Sequence, residues 1–313
     1  MGLTNKATTD HWVIISYSLR YVYVMFFLAL YVLILCSNCI IICLIWIHRN
    51  LHEPMYIFIA ALSLNSLFFS TAIYPKLVVA VLSNQQSVSY SGCLVQVFFF
   101  YSLGSSDILL LLAMAYDRYV SICRPLQYAS TMGTTCVSIC LASAWFVPVC
   151  LMSVTVVVQS KQKICSVTLT GIICNATMMN IHCTLPKFLA MWTLFTLSVM
   201  AVIPVLFIFF TYFKIFMVAY HSQGEVWKKA VDTCLPHLIV LLATFSLMTF
   251  DIIIGLLESV LPKNVRLILT LQTLVYNPLL NPIIYGLKMT EIRKHIKRLR
   301  LLLLIFTSCW VSF

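Results

Sequence analysis

The chain has 313 residues, 62% hydrophobic and only 9% charged, with 20 Lys/Arg against 9 Asp/Glu and a net charge of +11. A charged share about a third of the ordinary value leaves too little polar surface to wrap a water-soluble globule, so lipid must be the main solvent. Much of the basic excess lies at Lys288, Arg293, Lys294, Lys297, Arg298 and Arg300. With no aromatic-basic pattern beside it, this strip suits an anionic inner leaflet, and no nucleic-acid partner is expected.

A membrane helix needs roughly 20 apolar residues to cross a ~30 Å hydrocarbon layer, and the gaps between charges supply seven such stretches. They are Tyr21 to Ile47, Pro54 to Pro75, about Gly92 to Cys123, Thr134 to Val158, Phe188 to Phe213, Thr233 to about Leu257, and Leu267 to Leu287. The third carries Asp107 in its middle and Asp117-Arg118 near its end; the sixth is broken only by Asp251. Beyond them, Ile292, Ile296, Leu299 and Leu303 recur at spacings of four, three and four among basic residues. That pattern predicts an amphipathic helix on the inner leaflet, with Cys309 available for an acyl chain.

The expected fold class is therefore all-α, a seven-transmembrane-helix bundle with a short amphipathic eighth helix. An amino terminus outside places twelve Lys/Arg in the cytoplasm against eight outside, in keeping with the positive-inside rule. The expected organisation is an extracellular amino terminus (1–20), the seven-transmembrane domain (21–287) and a cytoplasmic tail (288–313).

Of the 13 cysteines, Cys36, Cys39, Cys43, Cys136, Cys140 and Cys150 fall within spans and serve as small apolar side chains. Cys93, Cys165, Cys174 and Cys183 lie on the outer side, where oxidation favours disulfides; four cysteines allow three connectivities and the sequence does not choose. Asn175-Ala176-Thr177 is the chain's one Asn-x-Ser/Thr triplet and makes Asn175 a candidate glycan acceptor.

The seventh span holds no lysine, which argues against a retinal-linked protein. A transporter would show broken helices in matching halves, and Pro148, Pro204, Pro278 and Pro282 do not fall that way. Five signatures remain: Leu51-His52-Glu53-Pro54-Met55-Tyr56; Met114-Ala115-Tyr116-Asp117-Arg118-Tyr119-Val120-Ser121-Ile122-Cys123; Thr211-Tyr212-Phe213-Lys214-Ile215; Lys229-Ala230 with Thr233-Cys234 and His237-Leu238; and Asn281-Pro282-Ile283-Ile284-Tyr285. In this order, at the ends of these spans, they resemble the odorant receptor family of rhodopsin-like G-protein-coupled receptors. The helix-two and helix-six variants are similar to those of fish members.

The resemblance implies a plasma-membrane receptor without enzymatic chemistry or cofactor, which binds a small, mostly apolar odorant and drives a stimulatory, olfactory-type heterotrimeric G protein to raise cyclic AMP. It implies that Arg118, paired with Asp117 and flanked by Tyr119, is a latch released toward the G protein, with Tyr212 and Tyr285 moving in to support it. Pro282 removes a backbone donor, and Asn281 is expected to satisfy the carbonyl this frees. Ser66 stands where most rhodopsin-like receptors carry an aspartate, but odorant receptors commonly carry an acid at the position of Asp107, so the resemblance implies a sodium or proton site formed by Asp107 and Ser66 with Asn281.

The ligand is expected in the outer half of the bundle, along Phe100, Tyr101, Gly104 and Ser105 on one helix face, with Thr196, Met200 and the helix-six aromatic Phe245. Gly104 is expected to leave room for it. Asp251, about two turns further out, offers an acid to an amine; a receptor for a soluble amine-like cue is the alternative reading, and a transporter a more distant one.

Overall fold

The computed structural model describes residues 2–5, 17–82, 87–166, 168–169, 173–184, 186–222, 224–256, 262–289, 291–295 and 298. Ile296, Leu299, Leu303 and Cys309 of the expected tail lie outside the described residues, as does most of the amino-terminal segment. Seven long helices run through the described residues: α1 Tyr17–Ile47, α2 Pro54–Leu82, α3 Tyr90–Cys123, α4 Thr134–Ser160, α5, α6 Glu225–Leu256 and α7 Lys263–Lys288. Helix α5 is built from Lys187–Leu197, a π-helical turn Ser198–Val202 and Ile203–Ser222.

Six of these are long and apolar enough to cross a membrane on hydropathy alone. The seventh has the length, 26 residues, but its sequence includes the polar Gln272, Thr273, Asn277 and Asn281. Most helices outrun the apolar stretches that predict them. Helix α2 continues through Pro75 and Lys76 to Leu82, and α6 begins at Glu225, because a helix satisfies its own backbone and need not end where the apolar stretch ends.

Helix α3 is the axis of the bundle, packed against α2, α4, α5 and α6, while α7 closes the ring against α6, α2 and α1. The inner half of the core gathers Leu62, Leu110, Met114, Val240 and Tyr285, and the outer half Phe69, Ile73, Tyr74, Phe100 and Leu274. Ile292, expected to lie on lipid, is instead fully buried against the inner cluster with Met289 and Tyr285.

The prolines explain the local irregularities. Pro204 cannot donate to the carbonyl four residues back, and the π-helical turn ends just before it. In α7, Pro278 frees the Leu274 carbonyl, which accepts a hydrogen bond from the Tyr74 hydroxyl of α2 at 3.2 Å. Pro282 frees the Pro278 carbonyl, which accepts from Nδ2 of Asn38 on α1 at 3.0 Å. This corrects the expectation for Asn281: its amide donates to Ser66 Oγ at 3.3 Å, and the vacated carbonyl is served from another helix.

Among the described residues one small sheet interrupts the helical architecture. On the outer side Gly2–Asn5 (β1) pairs antiparallel with Ser87–Ser89 (β2), Gly2 opposite Ser89, and parallel with Thr168–Leu169 (β3). The chain's start is thereby tied to the entrance of α3 and to the long loop after α4.

Candidate functional site

The outer site begins at the start of α3. Ser89 caps this helix, its Oγ accepting from the Gly92 amide at 3.1 Å, which sets Cys93 in the first turn. Cys93 bonds to Cys174, and Cys165 to Cys183, with Cα separations of 5.4 and 4.8 Å. The first bridge drapes the loop over the bundle, and Gln96 holds it there by accepting from the Cys174 amide at 3.2 Å.

Next to the bridge, Asn175 Oδ1 accepts from the Thr177 amide and hydroxyl at 3.3 and 3.0 Å. This fixes the side chain so that its Nδ2 donates to Asp251 Oδ1 at 2.8 Å. The other oxygen of Asp251 accepts from the Tyr101 hydroxyl at 2.7 Å. One carboxylate thus joins α6, α3 and the loop, and it is only 4% exposed. Asn175 is itself 3% exposed. A glycan on Asn175 would not fit this buried position beside Asp251.

Elsewhere in the loop, the Tyr90 hydroxyl donates to the Gln159 carbonyl at 2.7 Å and lies 3.0 Å from His182 Nε2. With the Tyr90 proton so engaged, Nε2 carries the imidazole proton and donates to the tyrosine oxygen, while Nδ1 is buried without a hydrogen bond. Burial pushes the His182 pKa below its ordinary value, and the Met179 carbonyl offsets part of the shift.

Below Asp251 the expected pocket residues separate. One helical turn inward, the space over Gly104 is filled by Met248: a Cβ on the glycine would lie 2.5 Å from the methionine Cε. The room anticipated at Gly104 is occupied by a flexible side chain. Phe100 packs against Phe69 of α2, ring centroids 5.6 Å apart, and Ser105 is buried. Thr196 donates to the Trp192 carbonyl at 2.6 Å, and Met200 is buried in the π-helical turn.

Phe245 does not face the interior. The inward face of α6 is His237, Val240, Thr244, Leu247 and Asp251, at spacings of three and four, and Phe245, one residue past Thr244, is turned about 100° away. It is 45% exposed on the outside of the bundle. The residue of α6 that meets α3 at this level is Met248.

At mid-depth Asp107 accepts from Asn65 Nδ2 and Asn277 Nδ2, both at 2.8 Å. Asn65 also donates to the Leu103 carbonyl at 2.8 Å, and its Oδ1 accepts from Trp145 Nε1 at 3.1 Å. One acid on α3 therefore ties α2 to α7, and Asn65 extends the network to Trp145 of α4. Ser66 belongs to the adjoining contact with Asn281, so the expected trio of Asp107, Ser66 and Asn281 is divided between two neighbouring sets. Among the described residues no cluster of three or more His, Cys, Asp or Glu side chains forms a metal site.

At the inner end, Arg118 is 8% exposed and bonds to Asp117 through Nε at 2.9 Å and through Nη2. Asp117 also accepts from the Tyr128 hydroxyl at 2.8 Å, from the helical turn Tyr128–Thr131 that follows α3. Burial and the Asp117 carboxylate raise the Tyr128 pKa, so the hydroxyl keeps its proton as donor. Tyr119 has the Arg124 guanidinium over its ring at 5.9 Å. Tyr212 bonds to His237 Nδ1 and stacks on that ring, while the Tyr285 hydroxyl lies 4.0 Å from Met114 Sδ. The hydrogen bonds of both tyrosines thus go elsewhere than to Arg118.

Sequence reasoning missed Asn38, Asn65, Trp145, Met248 and Asn277. The three asparagines carry a usable signal, since an uncharged polar side chain within an apolar span needs a partner across a helix interface.

The profile of the olfactory receptor family matches residues 27–303. The chain is 32% identical to human olfactory receptor 10J4 over 284 residues, covering 89% of this chain and 90% of that protein. It is 28% identical to human olfactory receptor 4K2 over 319 residues, covering the whole of both. The crystal structure of squid rhodopsin shares the fold, with a TM-score of 0.72 at 18% identity over 91% of this chain and 86% of that one. With the family profile over most of the chain and relatives of this identity and coverage beside a seven-helix bundle, the chain belongs to the olfactory receptor family of seven-helix G-protein-coupled receptors, which are receptors and not enzymes.

Proposed function

We propose that this protein is an odorant receptor of the plasma membrane, amino terminus outside. It binds a small, mostly apolar chemical cue in the outer half of the bundle and activates a stimulatory, olfactory-type G protein to raise cyclic AMP. The observation that carries the reading is that one rigid element, α3, holds both ends of the device. Its outer part bears Tyr101, bonded to α6 through Asp251, and its inner part bears the closed Asp117–Arg118 pair.

The mechanism is a shift of populations. A ligand entering between α3 and α6 changes the Tyr101–Asp251 and Gly104–Met248 contacts, and only a ligand that favours the rearranged seam can favour the open inner face. A guanidinium buried beside one carboxylate is bistable: it is satisfied by Asp117 when closed and by acceptors on the G protein when open.

The experiment is cyclic AMP measurement in cells co-expressing the surface-verified receptor with an olfactory stimulatory G protein, challenged with chemically sorted odorant pools beside an Arg118→Ala twin. A pool response lost in the twin supports the reading. Accumulation of a compound in the cells independently of Arg118 would replace it with transport.

A further inference from the structure

Asp251 is an acid in the outer part of α6, in a bundle otherwise poor in intramembrane charge, and its surroundings are incomplete for a carboxylate. Each oxygen has one neutral donor, Tyr101 at 2.7 Å and Asn175 at 2.8 Å. Among the described residues no Lys, Arg or His forms an ion pair with it. Each carboxylate oxygen accepts about two hydrogen bonds. Two neutral donors therefore leave acceptor capacity on both oxygens, and no counter-charge to hold the acid in its ionised form, in a site that is 4% exposed.

The space beside this acid has a matching apolar part. Tyr101 and Gly104 on α3 are one turn apart, as are Asp251 and Met248 on α6, so the polar pair and the Gly104–Met248 pair are stacked along one seam. Met248 Cε is the movable end of an unbranched side chain, and displacing it opens a slot whose outer end is a carboxylate and whose inner part is apolar. Above, the Asn175 amide closes the slot as part of a loop clamped by the Cys93–Cys174 bridge.

Resting on the receptor reading above, we infer that this seam is a binding site for protonated alkyl or aryl amines. The ammonium group pairs with Asp251 against the Tyr101 ring, and the hydrocarbon body displaces Met248 from Gly104. An ammonium supplies both what the carboxylate lacks, a positive charge and up to three donors, and the neighbouring aromatic ring adds a face attractive to cations. An alcohol of the same skeleton supplies one donor and no charge, so it is the natural discriminating control. Asn175 gives up or shares its place on Asp251 when the amine binds, which transmits occupancy to the loop.

The test uses the full-length receptor in cells, with surface expression verified, and a cyclic AMP readout. The probes are a panel of alkyl and aryl amines, their permanently charged trimethylammonium analogues, and the alcohols of the same skeletons. The expected result is activation by amines at concentrations well below those of the matched alcohols. Asp251→Asn should erase that preference by raising amine half-maximal concentrations roughly a hundredfold, and Asp251→Glu, which keeps the charge, should recover part of it. Met248→Ala should move the preference toward bulkier amines.

Alcohols that act as well as amines on the wild type, or amine potency untouched by Asp251→Asn, would overturn the inference and leave the receptor reading standing. The inference is likewise overturned, and the receptor reading kept, if neither class acts while basal cyclic AMP still depends on Arg118. If neither class acts and Arg118→Ala changes nothing, the receptor reading falls with it.

Discussion

Asn277 on α7 donates from Nδ2 to Oδ2 of Asp107 on α3 at 2.8 Å, across 170 residues of sequence. Asn65 of α2 donates to the other oxygen, and both donors need an acceptor-only partner. Asparagine at position 107 turns one of those oxygens into a second NH₂ facing a donor. Asp107→Asn is therefore expected to destabilise the receptor by about 1–3 kcal/mol, the cost of a buried unmet polar group, seen as a lower surface level and melting temperature in detergent. The swap Asp107→Asn with Asn277→Asp restores a donor–acceptor match at both contacts and should recover most of the loss. A swap that melts no higher than Asp107→Asn would refute the network.

The two prolines of α7 expose carbonyls that only distant side chains satisfy: Tyr74 on the Leu274 oxygen and Asn38 on the Pro278 oxygen. Tyr74→Phe and Asn38→Ala should each lower stability by about 1–3 kcal/mol. Being on different helices and different carbonyls, they should combine nearly additively. Thermal melting of the purified single and double variants checks this, and a neutral Tyr74→Phe would show that the freed carbonyl finds another donor.

The disulfides differ in the loops they close, with sequence separations of 81 and 18. In the chain-entropy account the longer loop is worth about 1 kcal/mol more. Removing the Cys93–Cys174 bridge also unpins Asn175 from Asp251. The Cys93→Ser, Cys174→Ser pair should therefore lose more surface expression than Cys165→Ser, Cys183→Ser. Non-reducing peptide mapping should recover the two bridges as paired here, and any other pairing contradicts the loop geometry.

Much of the fold is legible in the amino-acid sequence. Charges cannot sit in hydrocarbon, so their gaps mark all seven helices, and the Asp117–Arg118 and Asn281–Pro282 motifs fall at helix ends where they can act. Local pattern does not reveal what depends on the rotation of one helix against another. Phe245 and Thr244 differ by one residue, yet one faces out and the other in. Nor can the spacing of cysteines, or of Asn65 and Asn277 about Asp107, show which partners meet, since those contacts are made by tertiary packing alone. Gly104 is legible as a small residue; that Met248 fills its space is not.

His182 makes the outer loop sensitive to acid. Burial lowers its pKa in the folded loop, so the folded state favours the neutral ring. The contribution is present above the ordinary histidine pKa of 6.5 and is lost as pH falls below it, because a second proton on Nδ1 must be accommodated in a buried site. The protection of amides over residues 173–184, corrected for the intrinsic pH dependence of exchange, should therefore fall between about pH 7 and pH 5, and His182→Phe should remove most of that change. Protection that is flat across that range in the wild type would contradict the assignment.

In the proposed mechanism the Asp117–Arg118 pair holds the inner face closed, and the decisive measurement is basal cyclic AMP normalised to surface receptor. Asp117→Asn removes the charge that retains the guanidinium and also weakens the Tyr128 contact, so basal signalling should rise by roughly fivefold or more, the effect of a 1–3 kcal/mol bias between two states. Arg118→Ala, alone or added to Asp117→Asn, should bring the signal down to that of cells without receptor. A basal level unchanged by Asp117→Asn, or signalling that survives Arg118→Ala, would rule out the pair as the latch.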